Sequence, residues 1–278
     1  MMKLLAAIVC ATWVAGCATP PLTLGYRQMT MGGQRVHVWY PTSAVEAPYQ
    51  YTPEFGSTLA VNGAPMAGQW PVVVFSHGFG GCGWQSAVQT EAVARWGYVV
   101  AAPDHSDNSC GGPVVLTDRV ADVLRAAAGV RADPALKPVV TSATAGMGHS
   151  VGGDAIMVTP GLMTRVVFSP WPMPPNPHSG PIQYQGAQGD LFVTPNLPPA
   201  YAAAVPPKAY VELYGGTHFE WTILACAGTP TVRTCAEQRP NVQLTAVYAV
   251  AYFEAFVKGN VGPWNGLTGT GLKTFWRS

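Results

Sequence analysis

Residues 148–153 have the sequence GHSVGG, which places Ser150 at the centre of the pattern Gly-x-Ser-x-Gly. An apolar stretch at residues 145–147 predicts a strand before the motif, and residues 151–158 predict a helix after it. In a chain with 31 glycines the motif alone is weak evidence, so its position between a strand and a helix carries the weight. A serine on such a strained turn needs small neighbours two positions away. The pattern therefore predicts a nucleophile elbow at Ser150.

Strands and helices alternate around this motif. The β-branched run at residues 72–75 ends at the glycine-rich loop 76–81 (SHGFGG), and a helical spacing over 84–96 leads to a second strand at 98–102. Other strands are predicted at 36–40, 165–168, 182–185 and 209–213. Other helices are predicted from Thr117 and, as an amphipathic helix, over 242–258. Residues 42–69 form a polar segment in which no strand is predicted. This order predicts an α/β fold, with a mostly parallel twisted sheet flanked by helices.

A serine hydroxyl becomes a strong nucleophile only beside a base, and in this kind of fold the chain order is serine, acid, histidine. Two histidines follow Ser150. His178 lies in a proline-rich segment, whereas His218 lies in a loop directly after a predicted strand. His218 is therefore the predicted base.

The acid that orients this base has three candidates between Ser150 and the base. Asp154 lies one turn along the serine's own helix and would point away, and Glu212 is in the middle of a predicted strand. Asp190 follows a strand, where a carboxylate can accept the imidazole proton and set its tautomer. Asp190 is the predicted acid.

Attack on a carbonyl also requires donors for an oxyanion. The loop after the 72–75 strand is where this architecture supplies one donor, and the residue after the serine supplies the other. The backbone N–H groups of Phe79 and Val151 are the predicted donors. The loop lacks the Gly-Lys-Ser/Thr ending of a P-loop and the full spacing of a dinucleotide site. His77 and His149 flank these features and are predicted to be structural or pocket-lining.

Composition narrows the function classes. The 278 residues carry 15 basic and 14 acidic side chains, a net charge of +1, with no basic stretch that would suit nucleic acid. No metal or organic cofactor is expected. The composition does not change along the chain in a way that would mark a second domain, so we expect one catalytic domain at residues 17–278. We also expect the protein to be a monomer.

The first 16 residues resemble an export signal. Lys3 is followed by an apolar stretch at 4–14 that is too short to span a bilayer. The ending VAGC at 14–17 resembles a bacterial lipobox, which would make Cys17 the lipidated N-terminus; an ordinary signal peptide is the alternative. Either predicts a secreted protein or an envelope lipoprotein at the outer membrane or periplasmic face, which contacts the membrane only through its anchor.

Four further cysteines fit this oxidising context: Cys82, Cys110, Cys226 and Cys235. Their spacing is neither that of a zinc site nor that of a redox pair. Cys226 and Cys235 are close in sequence and predict a local disulfide, which leaves Cys82 to pair with Cys110. Free buried thiols are the alternative.

The sequence resembles the α/β-hydrolases that include platelet-activating-factor acetylhydrolase-like and dienelactone-hydrolase-like proteins and the bacterial cutinases or polyester hydrolases. The similar segments are 71–81 (PVVVFSHGFGG), 96–105 (WGYVVAAPDH), the elbow, 169–171 (SPW), 189–190 (GD) and 208–219 (KAYVELYGGTHF). The resemblance implies that Trp171 lines the substrate cleft and that Phe79 donates to the oxyanion. His149, next to the serine, is the other predicted substrate-binding residue. Asp154, Cys82 and a longer loop at 226–240 depart from the polyester-hydrolase pattern.

The expected function is that of a carboxylesterase or cutinase-like serine hydrolase. No sizeable insertion stands between residues 158 and 165, where a lid could lie, so short-chain esters or exposed polyester chains would enter an open cleft. The alternatives are a dienelactone-type hydrolase, a lyase or transferase use of the same three residues, and a non-catalytic envelope lipoprotein that keeps the fold as a binding module.

Overall fold

The structure, a computed structural model, describes residues 21–105, 119–171 and 176–278. Within these residues the strands are β1 (Leu24–Met31), β2 (Gln34–Pro41), β3 (Ala47–Thr52), β4 (Phe55–Val61), β5 (Trp70–Ser76), β6 (Val99–Pro103), β7 (Val140–His149), β8 (Arg165–Phe168), β9 (Ile182–Ala187), β10 (Lys208–Leu213) and β11 (Leu272–Arg277). The α-helices are α1 (Ala87–Arg95), α2 (Arg119–Ala132), α3 (Val151–Val158), α4 (Leu197–Ala203), α5 (Val232–Gln238), α6 (Pro240–Val257) and α7 (Val261–Asn265).

All the described strands join one sheet in the order β11-β10-β9-β8-β7-β5-β6-β2-β1-β4-β3. The six strands from β5 to β10 are mutually parallel, whereas β2 pairs antiparallel with β6 and β11 pairs antiparallel with β10. Because β6 and β7 lie on opposite sides of β5, the strand order reverses there. Parallel α/β sheets bind ligands at the carboxyl ends of the strands beside such a reversal.

The sheet is covered on both faces, which explains its continuous apolar strands. In β5, residues 71–76 are all buried, as β-branched side chains packed on two faces require. Helices α1 and α6 contribute to one apolar cluster, and α2 and α3 contribute to the other. Helix α6 was predicted as amphipathic, but it is buried around most of its circumference because α1, α5 and α7 also pack against it. The predicted mostly parallel, two-faced sheet is confirmed.

The structure corrects the prediction at the edges of the sheet. No strand was predicted in the polar segment 42–69, yet it contains β3 and β4, and β1 and β11 were not predicted either. These four strands, of which β3 and β11 lie at the two edges of the sheet, are partly exposed and partly polar. They therefore lack the apolar run that reveals a buried strand. Strand β7 begins at Val140, earlier than predicted. Its first half is polar and half-buried, so it had no apolar run from which a strand could be predicted.

The disulfide predicted between Cys226 and Cys235 is confirmed, with Cα atoms 5.2 Å apart. Both residues are buried beside α1 and β4, so the disulfide anchors the long loop before α6 to the core. Cys82 is also disulfide-bonded. Cys110 lies outside the described residues, so the Cys82–Cys110 pair stays a prediction.

The predicted leader, Cys17 and Thr117 also lie outside the described residues. Across 21–105, 119–171 and 176–278, no helix combines the length and the apolar character needed to cross a bilayer.

A buried carboxyl group ties the edge strands to the parallel sheet. Glu91 on α1 is 2% exposed and accepts hydrogen bonds from the hydroxyls of Tyr51 on β3 and Ser57 on β4, both at 2.8 Å. Burial raises the pKa of Glu91 to about 7, against the opposing effect of these bonds. The protonated acid is therefore the form that the fold favours.

Because the folded-state pKa of Glu91 lies above the unfolded value, its contribution to stability is complete below about pH 4.5 and is lost as pH rises through about 7. Glu91→Gln mimics the neutral acid and removes this titration. We expect the variant to gain stability relative to the wild type between pH 5 and pH 8, by on the order of 2 kcal/mol. Urea unfolding at several pH values measures the gain. Parallel pH profiles for the two proteins would contradict the account.

Candidate active site

Ser150 lies at the turn between β7 and α3, with φ +53° and ψ −128°. This conformation is strained for a residue with a side chain and is held by its surroundings. The Ser150 N–H donates to the Phe168 carbonyl at 2.9 Å, and the Ser150 carbonyl accepts from the N–H of Trp171 at 3.2 Å. The residue is 8% exposed and stands at the first turn of α3. The backbone thus has the conformation of a nucleophile elbow.

The glycines on either side of Ser150 are required by close backbone contacts. A Cβ atom at Gly148 would overlap the backbone of Gly152, and a Cβ atom at Gly152 would overlap the carbonyl oxygens of Ser76 and His77. The helix can approach the end of β5 only because these atoms are missing. The elbow and the glycine-rich loop are therefore packed directly against each other.

Asp190 and His218 come together at the neighbouring strand ends. Asp190 follows β9 and His218 follows β10, and Nδ1 of His218 lies 2.7 Å from Oδ2 of Asp190. Asp190 is 3% exposed; burial by itself would raise its pKa, but the bond from His218 holds the pKa below its usual value. The carboxylate keeps the proton on Nδ1, which leaves Nε2 able to accept a proton.

Within the described residues no hydrogen bond joins Ser150 Oγ to His218. Unliganded enzymes often have long serine–histidine separations that shorten when substrate binds. The two residues are nevertheless linked through His149, which precedes Ser150 in the chain and whose ring centroid lies 4.8 Å from that of His218. The structure thus places all three predicted triad residues at the carboxyl ends of the parallel strands β7, β9 and β10.

The predicted oxyanion donors lie beside the serine. A Cβ atom on Gly78 would come within 3.4 Å of the Ser150 Cβ atom, so the loop that carries Phe79 passes directly over the elbow. The N–H groups of Phe79 and Val151 have no hydrogen-bond partner in the described part of the chain. Free N–H groups at a helix start and a neighbouring loop suit developing negative charge.

A buried polar network beneath this loop was not predicted. Arg119, 2% exposed at the start of α2, donates to the carbonyl oxygens of His77 and Gly78 at 2.5 and 3.4 Å. His77 Nε2 accepts the N–H of His105 at 3.0 Å, so its Nδ1 donates to the Gly78 carbonyl at 2.7 Å. Burial lowers the pKa of His77 well below its usual value, with His105 and Arg119 adding to the effect. Neutral His77 therefore holds the loop backbone in place.

His105 belongs to the same network, although the sequence showed no constellation around it. Its Nε2 lies 2.8 Å from the Ser76 hydroxyl, and its Nδ1 lies 2.9 Å from the Asp122 carboxylate. All three residues are buried under the sheet edge. This serine–histidine–aspartate chain has no access to substrate and supports the end of β5. The side chains are far apart in sequence, and no local pattern could have joined them.

His149 was predicted to line the substrate site. The structure buries its ring, 3% exposed, and uses both ring nitrogens: Nε2 donates to the His218 carbonyl at 2.7 Å and Nδ1 accepts from Gln85 at 3.0 Å. A direct contact with substrate stays a prediction for His149. Gln85 itself carried no sequence signal.

Exposed apolar side chains surround the triad. Five of them, 46–83% exposed, adjoin the site in different ways: Leu191, Phe192 and Phe219 are within two residues of Asp190 or His218, Phe79 is a predicted oxyanion donor, and the Trp171 N–H donates to the Ser150 carbonyl. We call these five residues the apolar rim. Solvated apolar side chains concentrated at one place on a surface indicate binding of an apolar partner or substrate. Trp171, predicted to line the cleft, is part of this rim.

Asp154 has no role in the triad geometry. Both carboxylate oxygens are buried without a hydrogen-bond partner, and burial raises the pKa of Asp154 to about 8 while Arg119 opposes the rise. Glu212 bonds to Lys273 and Thr274 on β11 and is structural. His178 contacts the carbonyl of Val158, at the end of α3 opposite to the serine turn. The described residues contain no cluster of His, Cys, Asp and Glu suited to a metal ion.

Residues 57–129 match the family model of platelet-activating factor acetylhydrolase, isoform II. The matched segment runs from β4 into α2 and so includes β5, the glycine-rich loop and β6, but it ends before the triad residues. No curated protein matches the chain. The match, with a large parallel sheet flanked by helices, identifies the α/β-hydrolase fold and indicates a hydrolase of ester bonds.

Gly152→Ala tests the packing of the elbow. The added methyl group would collide with backbone carbonyls that cannot rotate away, so we expect a loss of about 1–3 kcal/mol of unfolding free energy. Gly262→Ala is the matched control, because only Asn260 Oδ1, at 3.6 Å, lies within 4 Å of the new atom. Urea unfolding compares both with the wild type. Wild-type stability in Gly152→Ala would contradict the packing described.

Proposed function

We propose that this chain, which has the α/β-hydrolase fold and matches the platelet-activating factor acetylhydrolase model at residues 57–129, is a serine carboxylic-ester hydrolase that works through an acyl-enzyme. The observation that carries the proposal is the bond from His218 Nδ1 to buried Asp190, at the same sheet edge as the strained Ser150 turn. A buried carboxylate that orients an imidazole beside a serine is the arrangement that activates the hydroxyl.

The mechanism begins when His218 Nε2 takes the hydroxyl proton of Ser150 as Oγ bonds to the ester carbonyl carbon. The carbonyl oxygen becomes an oxyanion and accepts hydrogen bonds from the N–H groups of Phe79 and Val151. His218 then returns the proton to the alcohol oxygen, which leaves as the carbon–oxygen bond breaks. Water repeats the sequence on the acyl-serine and releases the acid. Asp190 stabilises the imidazolium at both stages.

The apolar rim favours substrates with apolar acyl groups, including exposed polyester chains, because such groups can pack against its side chains. Aromatic side chains around an open site bury apolar substrate surface without a lid. In the structure only residues 159–164 separate α3 from β8, which leaves no room for a lid at that connection. The leader pattern and the buried Cys226–Cys235 disulfide support export, because disulfides persist in oxidising compartments.

Ser150→Ala tests the nucleophile. We expect hydrolysis of p-nitrophenyl butyrate to fall by roughly 10⁴-fold or more, since the acyl-enzyme cannot form. A fluorophosphonate probe should label the wild type and leave the variant unlabelled. Asp190→Asn is a graded companion, expected to lose roughly 10³- to 10⁴-fold in kcat through the wrong histidine tautomer. Unchanged esterase activity in purified, folded Ser150→Ala would exclude the proposal, and an inert wild type would favour the binding-module alternative.

The double variant Leu191→Ser/Phe192→Ser tests the apolar rim. Loss of about 1 kcal/mol of apolar contact should slow hydrolysis of long-chain esters and of a polyester film roughly 5-fold, and leave the acetate within twofold. Val205→Ser is the matched control, because Val205 is 55% exposed and lies before β10, at the amino ends of the parallel strands and away from the triad. An equal loss for every ester, or the same loss in the control, would contradict the role of the rim.

A further inference from the structure

His149 contacts three parts of the site at once. Its Nε2 donates to the backbone carbonyl of His218 at 2.7 Å, and its Nδ1 accepts from the side-chain amide of Gln85 at 3.0 Å. A Cβ atom on Gly78 would come within 2.8 Å of the same Nδ1, so the glycine-rich loop 76–81, here called the oxyanion loop, rests against the ring. The chain continues directly from His149 to Ser150. One buried imidazole therefore touches the loops of the base and the oxyanion donor and adjoins the nucleophile.

The orientation of this ring is determined by its partners. A carbonyl oxygen can only accept, so Nε2 of His149 carries the proton, and the Gln85 amide then donates to the bare Nδ1. Trp221 stacks on the ring with centroids 6.2 Å apart, and its own Nε1 is bonded to Gln185. The imidazole is packed and has a single tautomer.

The charge state of His149 agrees with this geometry. Burial lowers the pKa of His149 to about 3, and the neighbouring His218 lowers it further. The His149 ring is therefore neutral at pH values near 7. It therefore adds no positive charge that would oppose the protonation of the base during the reaction.

We propose that His149 is a positioning residue that sets the distance between Ser150 Oγ and His218 Nε2 by holding the backbone of the base loop. The proposal rests on the proposed serine-esterase function. His218 is half-exposed in a loop with glycines at 215 and 216, both at positive φ, and the bond from His149 fixes that loop at the residue that carries the base. A displacement of about 1 Å there would cost roughly 100-fold in rate.

This role differs from a substrate contact in its effect on kinetics. A positioning residue acts on the proton transfer common to all esters, so its loss lowers kcat/KM by one factor whatever the acyl group. A residue that touches the acyl chain changes kcat/KM by a factor that depends on chain length. The two possibilities can therefore be distinguished with one substrate series.

The test compares His149→Phe, which keeps a packed ring without either nitrogen, with His149→Gln, whose amide N–H can reach the same carbonyl. We expect His149→Phe to lower kcat/KM and the fluorophosphonate labelling rate by roughly 10- to 100-fold, equally for acetate, butyrate and octanoate esters. His149→Gln should recover part of that loss. If His149→Phe does not fold, Gln85→Met supplies the measurement, with a smaller uniform loss expected.

A chain-length-dependent loss, or wild-type kinetics in His149→Phe, would overturn the proposal while Ser150→Ala still abolishes activity. A wild type that neither hydrolyses esters nor reacts with the fluorophosphonate would overturn the proposed function itself.

Discussion

The site depends on the close approach of three pieces of backbone around Ser150. The end of β7, the first turn of α3 and the loop after β5 are in direct contact, and a side chain at Gly148 or Gly152 would separate them. This contact forces Ser150 into its positive-φ conformation and places the loop that carries Phe79 against the elbow. The strain is offset by the buried, two-faced sheet on which the turn stands.

Buried polar groups hold this arrangement from below. His77 and Arg119 bond to backbone carbonyls of the glycine-rich loop, and His105 bonds to the side chains of His77 and Ser76. His149 bonds to the backbone carbonyl of His218. In a low-dielectric interior such bonds are strong and unpaired groups are costly, so each loop has one favoured position. Preorganised dipoles of this kind stabilise a developing oxyanion without further reorganisation.

The sequence could predict the parts of the molecule that have local signals. The run at 72–75, the glycines around Ser150, and the loops that carry Asp190 and His218 each have a pattern tied to a physical cause, and the structure places them at one sheet edge. Edge strands such as β3 and β11 were missed because they are half-exposed and do not alternate cleanly. The roles of Gln85 and His149 depend on contacts between distant segments, for which one sequence has no signal.

The central claim is that Ser150 carries the acyl group during turnover. Mixing the wild type with a p-nitrophenyl ester, denaturing in acid within milliseconds and mapping the adduct by mass spectrometry tests it most directly. The account predicts one acyl group per chain, on the peptide that contains Ser150, formed with the burst of p-nitrophenol. Rapid hydrolysis with an acyl group on another residue, or with none during a steady state limited by deacylation, would contradict it.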